Sequence, residues 1–232
     1  MITLYQFQPV FGLPNASPFC MKVENYLRMA HLPYEIAPRA NHFKAPKGKL
    51  PYIRDNGKII ADSSFIIEYL KATYGDPLDA KLNSLEVAQV LALRRMMEEN
   101  LYWVLAYWRW VEPQGWKVTK AEFFKPVPAL LRGPISALAR RGVTRQLWGH
   151  GMGRHSAEEV YHIGNTDITA LADFLRDKPF FMGENPTSLD ATAYAFLANI
   201  TLVPMDSALK QYALKYPQLE AYCKRMKARY YA

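Results

Sequence analysis

The stretch that decides the fold is SPFCMKVENYLRMA, residues 17–30, which follows a short apolar run at 2–7 and a loop rich in proline and glycine. Ser17 can cap a helix by accepting hydrogen bonds from its free backbone N–H groups. Pro18 suits the first helical position because it has no N–H to leave unpaired. Apolar residues follow at helical spacing until His31-Leu32-Pro33 ends the pattern. The sequence therefore predicts a buried strand, a turn and a capped helix in that order.

The residues downstream extend this unit into a small mixed sheet. Residues 34–37 can form a strand parallel to the first, because a helix connects the two. After a basic segment at 41–49, which is predicted to be a loop, Asn56-Gly57 lies between two short apolar runs and signals a hairpin. A second helix is predicted to start at Ser63 or Ser64. The predicted order is βαβ followed by ββα, which is an α/β domain.

Strand signals largely vanish after the break at Gly75-Asp76-Pro77. Residues 85–110 contain neither glycine nor proline and predict one long helix. The prolines and the glycine at 126–134 are expected to break up the next segment, and the glycine-rich residues 148–155 to form a flexible connector. Three more helices are predicted, over residues 157–176, 188–203 and 218–229.

This change of pattern divides the chain. A length of 232 residues suffices for one large or two small domains, each with a core. We predict an α/β domain at residues 1–76, a linker at 77–84 and an all-helical domain at 85–232.

The composition is that of a soluble folded chain with a basic surplus. The sequence has 29 Lys+Arg against 21 Asp+Glu, a net charge of +8, and half of its residues are hydrophobic. Basic residues are scattered among acidic ones, so we predict no nucleic-acid partner. Two cysteines, Cys20 and Cys223, fit a reducing compartment. Neither a secretory signal nor an apolar run of ~20 residues is visible, so a cytoplasmic location and no transmembrane segment are expected.

Four local motifs resemble those of the glutathione transferase superfamily. They are Ser17-Pro18-Phe19-Cys20, Gly48-Lys49-Leu50-Pro51-Tyr52-Ile53, Ala61-Asp62-Ser63-Ser64 and Thr187-Ser188-Leu189-Asp190. In the last motif, Thr187 and Asp190 are expected to form a capping box at the start of a buried helix. The amino-acid sequence of residues 17–30 and 60–70 most resembles that of the branch that contains metaxin-like and failed-axon-connections-like proteins. The resemblance covers essentially the whole chain. It implies a thioredoxin-like N-terminal domain, an all-α C-terminal domain, glutathione as co-substrate and a homodimer.

The resemblance places the catalytic group at Ser17. A hydroxyl at a helix N-terminus can donate to the sulfur of glutathione, and the helix dipole favours the thiolate, which is the nucleophile. Simple capping of the helix is the plainer interpretation of Ser17. Tyr5 and Cys20 are alternatives, although Tyr5 also suits the core and Cys20 lacks the partner cysteine of a Cys-x-x-Cys pair.

Glutathione is a tripeptide, and the resemblance assigns the binding of the rest of it to five further residues: Lys49, Leu50, Pro51, Asp62 and Ser63. The bond before Pro51 is expected to be cis, so that the backbone of Leu50 can pair with the cysteinyl part. The N–H groups after Asp62 would receive the γ-glutamyl carboxylate, with the Ser63 hydroxyl beside them, and Asp62 would face the ammonium group. Lys49 or Lys47 would meet the glycyl carboxylate, unless both are simply solvated.

The implied reaction joins glutathione thiolate to a small hydrophobic electrophile. That electrophile would lie against aromatic residues of the long helix, roofed by Trp116 and residues 126–133, although an aromatic band also suits a core. No metal is predicted, because His150 and His155 lack a third ligand at suitable spacing. Two other functions stay open: a non-catalytic glutathione-binding or scaffold protein, and a glutathione-dependent thiol transferase or peroxidase that uses Cys20.

Overall fold

A computed structural model describes residues 1–38, 40 and 45–231. Four strands form one mixed sheet in the order β2-β1-β3-β4: β1 (Ile2–Tyr5), β2 (Tyr34–Ile36), β3 (Tyr52–Asp55) and β4 (Lys58–Ala61). β1 pairs in parallel with β2 and antiparallel with β3, and β3 pairs antiparallel with β4. Asn56 and Gly57 both have positive φ, 47° and 77°, as the tight hairpin requires.

Two helices complete the N-terminal unit, α1 (Pro18–Met29) and α2 (Ser63–Tyr74). The predicted βαβ then ββα order is confirmed. Ser17 caps α1 by accepting from the N–H of Cys20, and Pro18 opens it. In the predicted loop at 41–49, residues 45–49 form turns, whereas residues 41–44 lie outside the described part of the chain.

The remainder of the described chain is helical. Its helices are α3 (Ser84–Arg95), a π-helical segment (Met96–Leu101), α4 (Tyr102–Trp110), α5 (Pro113–Phe123), α6 (Ala129–His150), a 3₁₀ turn (Met152–Arg154), α7 (Ala157–Leu175), α8 (Ser188–Thr201), α9 (Ala208–Ala213) and α10 (Pro217–Tyr230). The fold class is therefore a thioredoxin-like domain followed by an all-α domain. The domain boundaries themselves, at 1–76 and 85–232 with a linker at 77–84, stay a prediction.

The break expected at residues 126–134 is confirmed in part. Pro126 and Pro128 lie in the gap between α5, which ends at Phe123, and α6, which begins at Ala129, whereas Pro134 lies inside α6 in its second turn. There the helix is near its exposed end, where water can satisfy the carbonyl that loses an N–H partner. The expectation that residues 148–155 form a flexible connector is wrong. A Cβ at Gly153 would lie 2.8 Å from the backbone nitrogen of Trp148, so glycine permits a close turn against the end of α6.

Helix α8 is the centre of the helical domain and the main contact with the α/β domain. Every residue from Leu189 to Thr201 is buried, and the Asn25 side chain of α1 donates to the Ala191 carbonyl at 2.8 Å. The predicted capping by Asp190 is present, since its carboxylate accepts from the Thr187 N–H at 2.8 Å. α1 thus lies between the sheet and α8, which fixes the turn that begins it.

Asp167 of α7 makes the stability of the fold depend on pH. Its buried carboxylate accepts from Asn100 at 2.8 Å, and burial raises its pKa from 3.8 to about 6. Because the folded state holds this proton more tightly than the unfolded chain, stability is lost as pH rises from about 4 to about 6. We expect Asp167→Asn to remove that loss. Urea unfolding measures the free energy of unfolding of both proteins, and the difference between variant and wild type should grow by about 2–3 kcal/mol from the lower to the higher pH. A difference that does not change with pH would contradict the prediction.

Candidate functional site

The turn before α1 carries Ser17, and "the glutathione cleft" below means the predicted glutathione site between the starts of α1 and α2. The half-buried Ser17 has an extended backbone, with φ of −88° and ψ of 115°, and its N–H donates to the Asn15 side chain at 3.0 Å. Asn15 in turn donates to the Phe7 carbonyl at 2.7 Å. The Ser17 oxygen accepts from the Cys20 N–H at 3.4 Å, and although burial raises the pKa of the Cys20 thiol, a hydrogen bond between the Ser17 and Cys20 side chains lowers it. A ligand anion there would meet a hydroxyl donor and a helix N-terminus together.

A buried arginine of the helical domain holds this turn from behind. Arg109 of α4 donates to the Ala16 carbonyl at 2.6 Å and to the side-chain oxygen of Asn199 at 2.8 Å. It is 4% exposed, makes no ion pair among the described residues, and its Nε has no hydrogen-bond partner there. Burial lowers the pKa of this guanidinium to about 10, which leaves it charged at neutral pH. One uncompensated positive charge therefore lies next to Ser17.

The two alternatives to Ser17 are less favourably placed. Cys20 is fully buried, and burial raises the pKa of its thiol to about 12, so the thiolate is scarce at neutral pH. Tyr5 is half-buried and stacks on Tyr52 with ring centroids 4.2 Å apart. Both side chains belong to a small apolar cluster around Leu50, which agrees with a packing role.

The Leu50-Pro51 segment lies in front of the sheet, and its peptide bond is cis as predicted. Leu50 and Pro51 are buried, whereas Lys49 is exposed. Lys47 is exposed as well, and its ammonium lies 4.5 Å from the centroid of the Phe65 ring. Among the described residues no contact fixes Lys49 on the site, so its assignment to a carboxylate stays a prediction.

Asp62 and Ser63 form the second helix N-terminus of the glutathione cleft. Asp62 is exposed, and its carboxylate caps α2 by accepting from the Ser64 N–H at 2.9 Å. Its φ of 86° lies in the left-handed region, which costs a non-glycine residue free energy and is typical of functional sites. Ser63 is 5% exposed at the base of this turn.

A buried ion pair behind Ser63 was not predicted from the sequence. Lys22 of α1 is 0% exposed and bonds the carboxylate of Glu98, itself 4% exposed, at 2.5 Å. The same ammonium donates to the hydroxyls of Ser63 at 3.3 Å and Ser64 at 3.2 Å. Burial lowers the Lys22 pKa, and Glu98 opposes that shift. Because Lys22 occupies an acceptor position on the Ser63 oxygen, the Ser63 proton is left to a ligand.

Glu98 reaches Lys22 from the π-helical segment that interrupts the predicted helix over 85–110. π-helical turns inside longer helices are often found at functional sites. The sequence signal that could have indicated this pair is the position of Lys22 between Met21 and Val23, two apolar residues of α1. A lysine that is buried among such residues must be paired.

The predicted aromatic band divides into separate groups. Trp108 is buried in the core, and Trp103 stacks on His150 with centroids 4.4 Å apart. Trp110 instead joins a cluster that includes Trp116 at 5.6 Å. Rings at the end of α5 close this cluster over the loop before α1, with Phe123 and Phe11 centroids 5.4 Å apart. Phe11 is buried and Phe123 is half-buried, so this contact belongs to the packing around that loop. The roof that Trp116 and residues 126–133 would form over an electrophile stays a prediction.

The described residues contain no group of three side chains suited to hold a metal ion. In the same part of the chain, no helix combines the length and the apolar character needed to cross a membrane.

These features define a class: a thioredoxin-like domain in which Lys22 of α1 bonds Ser63 at the start of α2, packed through α1 against an all-helical domain. Family models for the glutathione S-transferase N-terminal domain and C-terminal domain match residues 18–115 and 164–226. The chain is 38% identical to an isoprene-epoxide–glutathione S-transferase of a Rhodococcus species, with 99% of both chains covered. The chain therefore belongs to the glutathione transferase superfamily.

Other relatives lie in the metaxin-like branch. The chain is 37% identical to failed axon connections of Drosophila melanogaster, over 98% of this chain and 57% of that one. It is 25% identical to human metaxin-2, over 91% and 81%. Among solved structures, a beta-etherase of Sphingobium superposes with a TM-score of 0.69 at 17% identity, over 98% and 95%. A glutathione transferase of Methylobacterium radiotolerans in complex with glutathione sulfonate gives 0.60 at 17%, over 98% and 91%.

Proposed function

We propose that this protein conjugates glutathione to a small hydrophobic electrophile, with Ser17 stabilising the thiolate. The observation that carries the proposal is the turn itself. The Ser17 hydroxyl lies at the N-terminus of α1, and the buried Arg109 guanidinium donates to the carbonyl of the preceding residue, Ala16. The relative at 38% identity, whose name specifies an isoprene epoxide, makes epoxides the first electrophiles to test.

In the proposed complex, the γ-glutamyl end occupies the N-terminus of α2, with its carboxylate on the N–H groups there and on the Ser63 hydroxyl. Asp62 faces the ammonium group, the Leu50 backbone pairs with the cysteinyl part beside Pro51, and Lys49 meets the glycyl carboxylate. The thiol proton leaves to water, the thiolate forms a bond to an epoxide carbon, and the C–O bond breaks. The alkoxide then takes a proton from water. A homodimer in the cytoplasm completes the proposal.

Ser17→Ala tests this function. We expect kcat/KM for an epoxide to fall about 100-fold, the usual effect of removing one donor to a developing anion. Calorimetry should meanwhile show glutathione binding within about twofold of wild type, since the other contacts remain. Ser17→Thr is the matched control, because it keeps a hydroxyl that can cap α1. Equal rates in Ser17→Ala and wild type would remove Ser17 from the chemistry.

A non-catalytic role is the second candidate, because the relatives at 37% and 25% identity are named failed axon connections and metaxin-2. It predicts glutathione binding with background rates in both wild type and Ser17→Ala. A thiol transferase that uses Cys20 is disfavoured by the burial and the raised pKa of that thiol. It predicts that Cys20→Ser abolishes reductase activity.

A further inference from the structure

The positive charge of the chain is concentrated in one segment. Residues 123–157 contain no Asp or Glu, whereas they contain six basic residues: Lys125, Arg132, Arg140, Arg141, Arg145 and Arg154. The whole chain has a net charge of +8, so this segment accounts for most of the surplus. Most of the segment is helix α6, which is separate from the glutathione site.

Helix α6 packs through one face and leaves the other in solvent. Its buried residues are Ser136 and Leu147. Leu130 on the opposite face is 90% exposed, Leu138 is 73% exposed and Trp148 is 60% exposed. Leu131 and Ile135 are 51% and 42% exposed as well, so α6 has five large apolar side chains in solvent, where a single one would need no explanation.

The outward residues form one stripe, because 130, 138, 141, 145 and 148 recur at the spacing of a single helical face. The N-terminal half of the stripe is apolar, with Leu130 and Leu138. The C-terminal half has the exposed Arg141 and Arg145 and ends at Trp148, over whose ring the Arg154 guanidinium lies at 5.6 Å. Below, "the α6 stripe" means these five residues: Leu130, Leu138, Arg141, Arg145 and Trp148.

A cationic cleft lies beside the stripe, between α5 and α6. It has a volume of about 370 Å³, and Lys120, Arg140, Arg141 and Trp116 line it with no acidic side chain. Arg140 is fixed there, since its guanidinium lies 5.0 Å from the Trp116 ring centroid and donates to the Trp110 carbonyl at 2.7 Å. The cleft therefore offers prearranged positive charge to a phosphate group next to the leucines.

We propose that the α6 stripe docks reversibly on an anionic lipid surface. Leucine side chains that protrude singly suit the boundary between head groups and acyl chains, and arginines beside them suit lipid phosphates. Trp148 is of the type enriched at that boundary. The absence of acidic residues from 123–157 removes the repulsion that an anionic surface would otherwise meet.

Two exposed leucines of α3 lie outside the basic segment around α6. Leu85 is 67% exposed beside Glu86, and Leu91 is 47% exposed one turn before Arg95, which forms an ion pair with Glu99. Acidic side chains are therefore present in this part of the chain, whereas the segment around α6 contains none. Leu85 and Leu91 are the control positions, because they test exposed leucine without that excess of positive charge.

Co-sedimentation with vesicles tests the proposal. We expect the full-length protein to bind phosphatidylcholine–phosphatidylserine vesicles, to bind pure phosphatidylcholine far less, and to dissociate as NaCl is raised. Arg141→Gln/Arg145→Gln should weaken binding by about fivefold for each arginine. Leu130→Ser/Leu138→Ser should weaken it as well, whereas Leu85→Ser/Leu91→Ser should bind like wild type. Unchanged circular dichroism and melting temperature show that each variant is folded.

Three outcomes would overturn the proposal. One is the failure of wild type to bind the anionic vesicles, and another is undiminished binding by both α6 double variants. The third is a halved solution mass of Leu130→Ser/Leu138→Ser in light scattering without vesicles, because it would identify the α6 stripe as an interface between copies of the chain.

Discussion

Lys22→Met is expected to lower the free energy of unfolding by about 3–5 kcal/mol, the usual cost of leaving one partner of a buried ion pair alone. Glu98 would then be a buried carboxylate whose cation has gone, and Ser63 and Ser64 would lose the ammonium that they accept from. Urea unfolding at neutral pH measures the loss. A destabilisation below about 1 kcal/mol would show that the pair is not buried as described.

The matched control replaces both partners. Lys22→Met/Glu98→Leu removes the charges together, and an apolar pair of similar volume is often as stable as the ion pair that it replaces. We therefore expect the double variant to recover most of the lost stability. An additive loss in the double variant would contradict a direct interaction between the two side chains.

The double variant also separates folding from ligand binding. It is expected to fold, yet its Ser63 hydroxyl is no longer oriented by Lys22. Calorimetry should then show glutathione affinity weaker by about tenfold, the effect of losing one good hydrogen bond to the ligand. Wild-type affinity in a folded double variant would mean that Lys22 contributes to stability alone.

Arg109→Met is expected to raise the pKa of the glutathione thiol in the complex by on the order of one unit. The guanidinium is buried beside the Ser17 turn and has no ion-pair partner in the described part of the chain, so a thiolate would be its missing counter-charge. At saturating glutathione, the rising limb of kcat/KM for the electrophile against pH reports this pKa, because the glutathione complex is then the free form of the enzyme. We expect that limb to move to higher pH.

Arg109→Lys distinguishes charge from position. Lysine keeps a cation but cannot donate to Ala16 and Asn199 as the planar guanidinium does. If the charge is what matters, the pH profile of Arg109→Lys stays closer to wild type than that of Arg109→Met. Identical shifts in the two variants would assign Arg109 to positioning the turn, and unshifted profiles in both would remove it from the site.

The local features of the fold could be predicted from the sequence because each depends on neighbouring residues. Ser17-Pro18 marks a helix start, Asn56-Gly57 a tight hairpin, and Asp190 a capping carboxylate, all from spacing alone. Errors occurred where packing overrides local preference. Pro134 is tolerated inside α6, and Gly153 closes a turn that looked like a connector.

The supports of the site could not be predicted in this way. Lys22 and Glu98 are 76 residues apart, and Arg109 lies 93 residues from Ala16. A single sequence shows that such charges exist but not which groups will meet them after folding. The residues at the two helix N-termini could be predicted from the sequence. The buried cations behind them, Lys22 and Arg109, could be located only in the structure.

Direct observation of the thiolate of bound glutathione tests the central claim, which is that Ser17 stabilises this thiolate. Ultraviolet absorbance of the complex during a pH titration gives the pKa of the bound thiol. We expect wild type to form thiolate well below the ordinary thiol pKa of about 8.5, Ser17→Thr to follow it, and Ser17→Ala to shift back toward that value. Saturated complexes of wild type and Ser17→Ala that both titrate at the ordinary value would contradict the account.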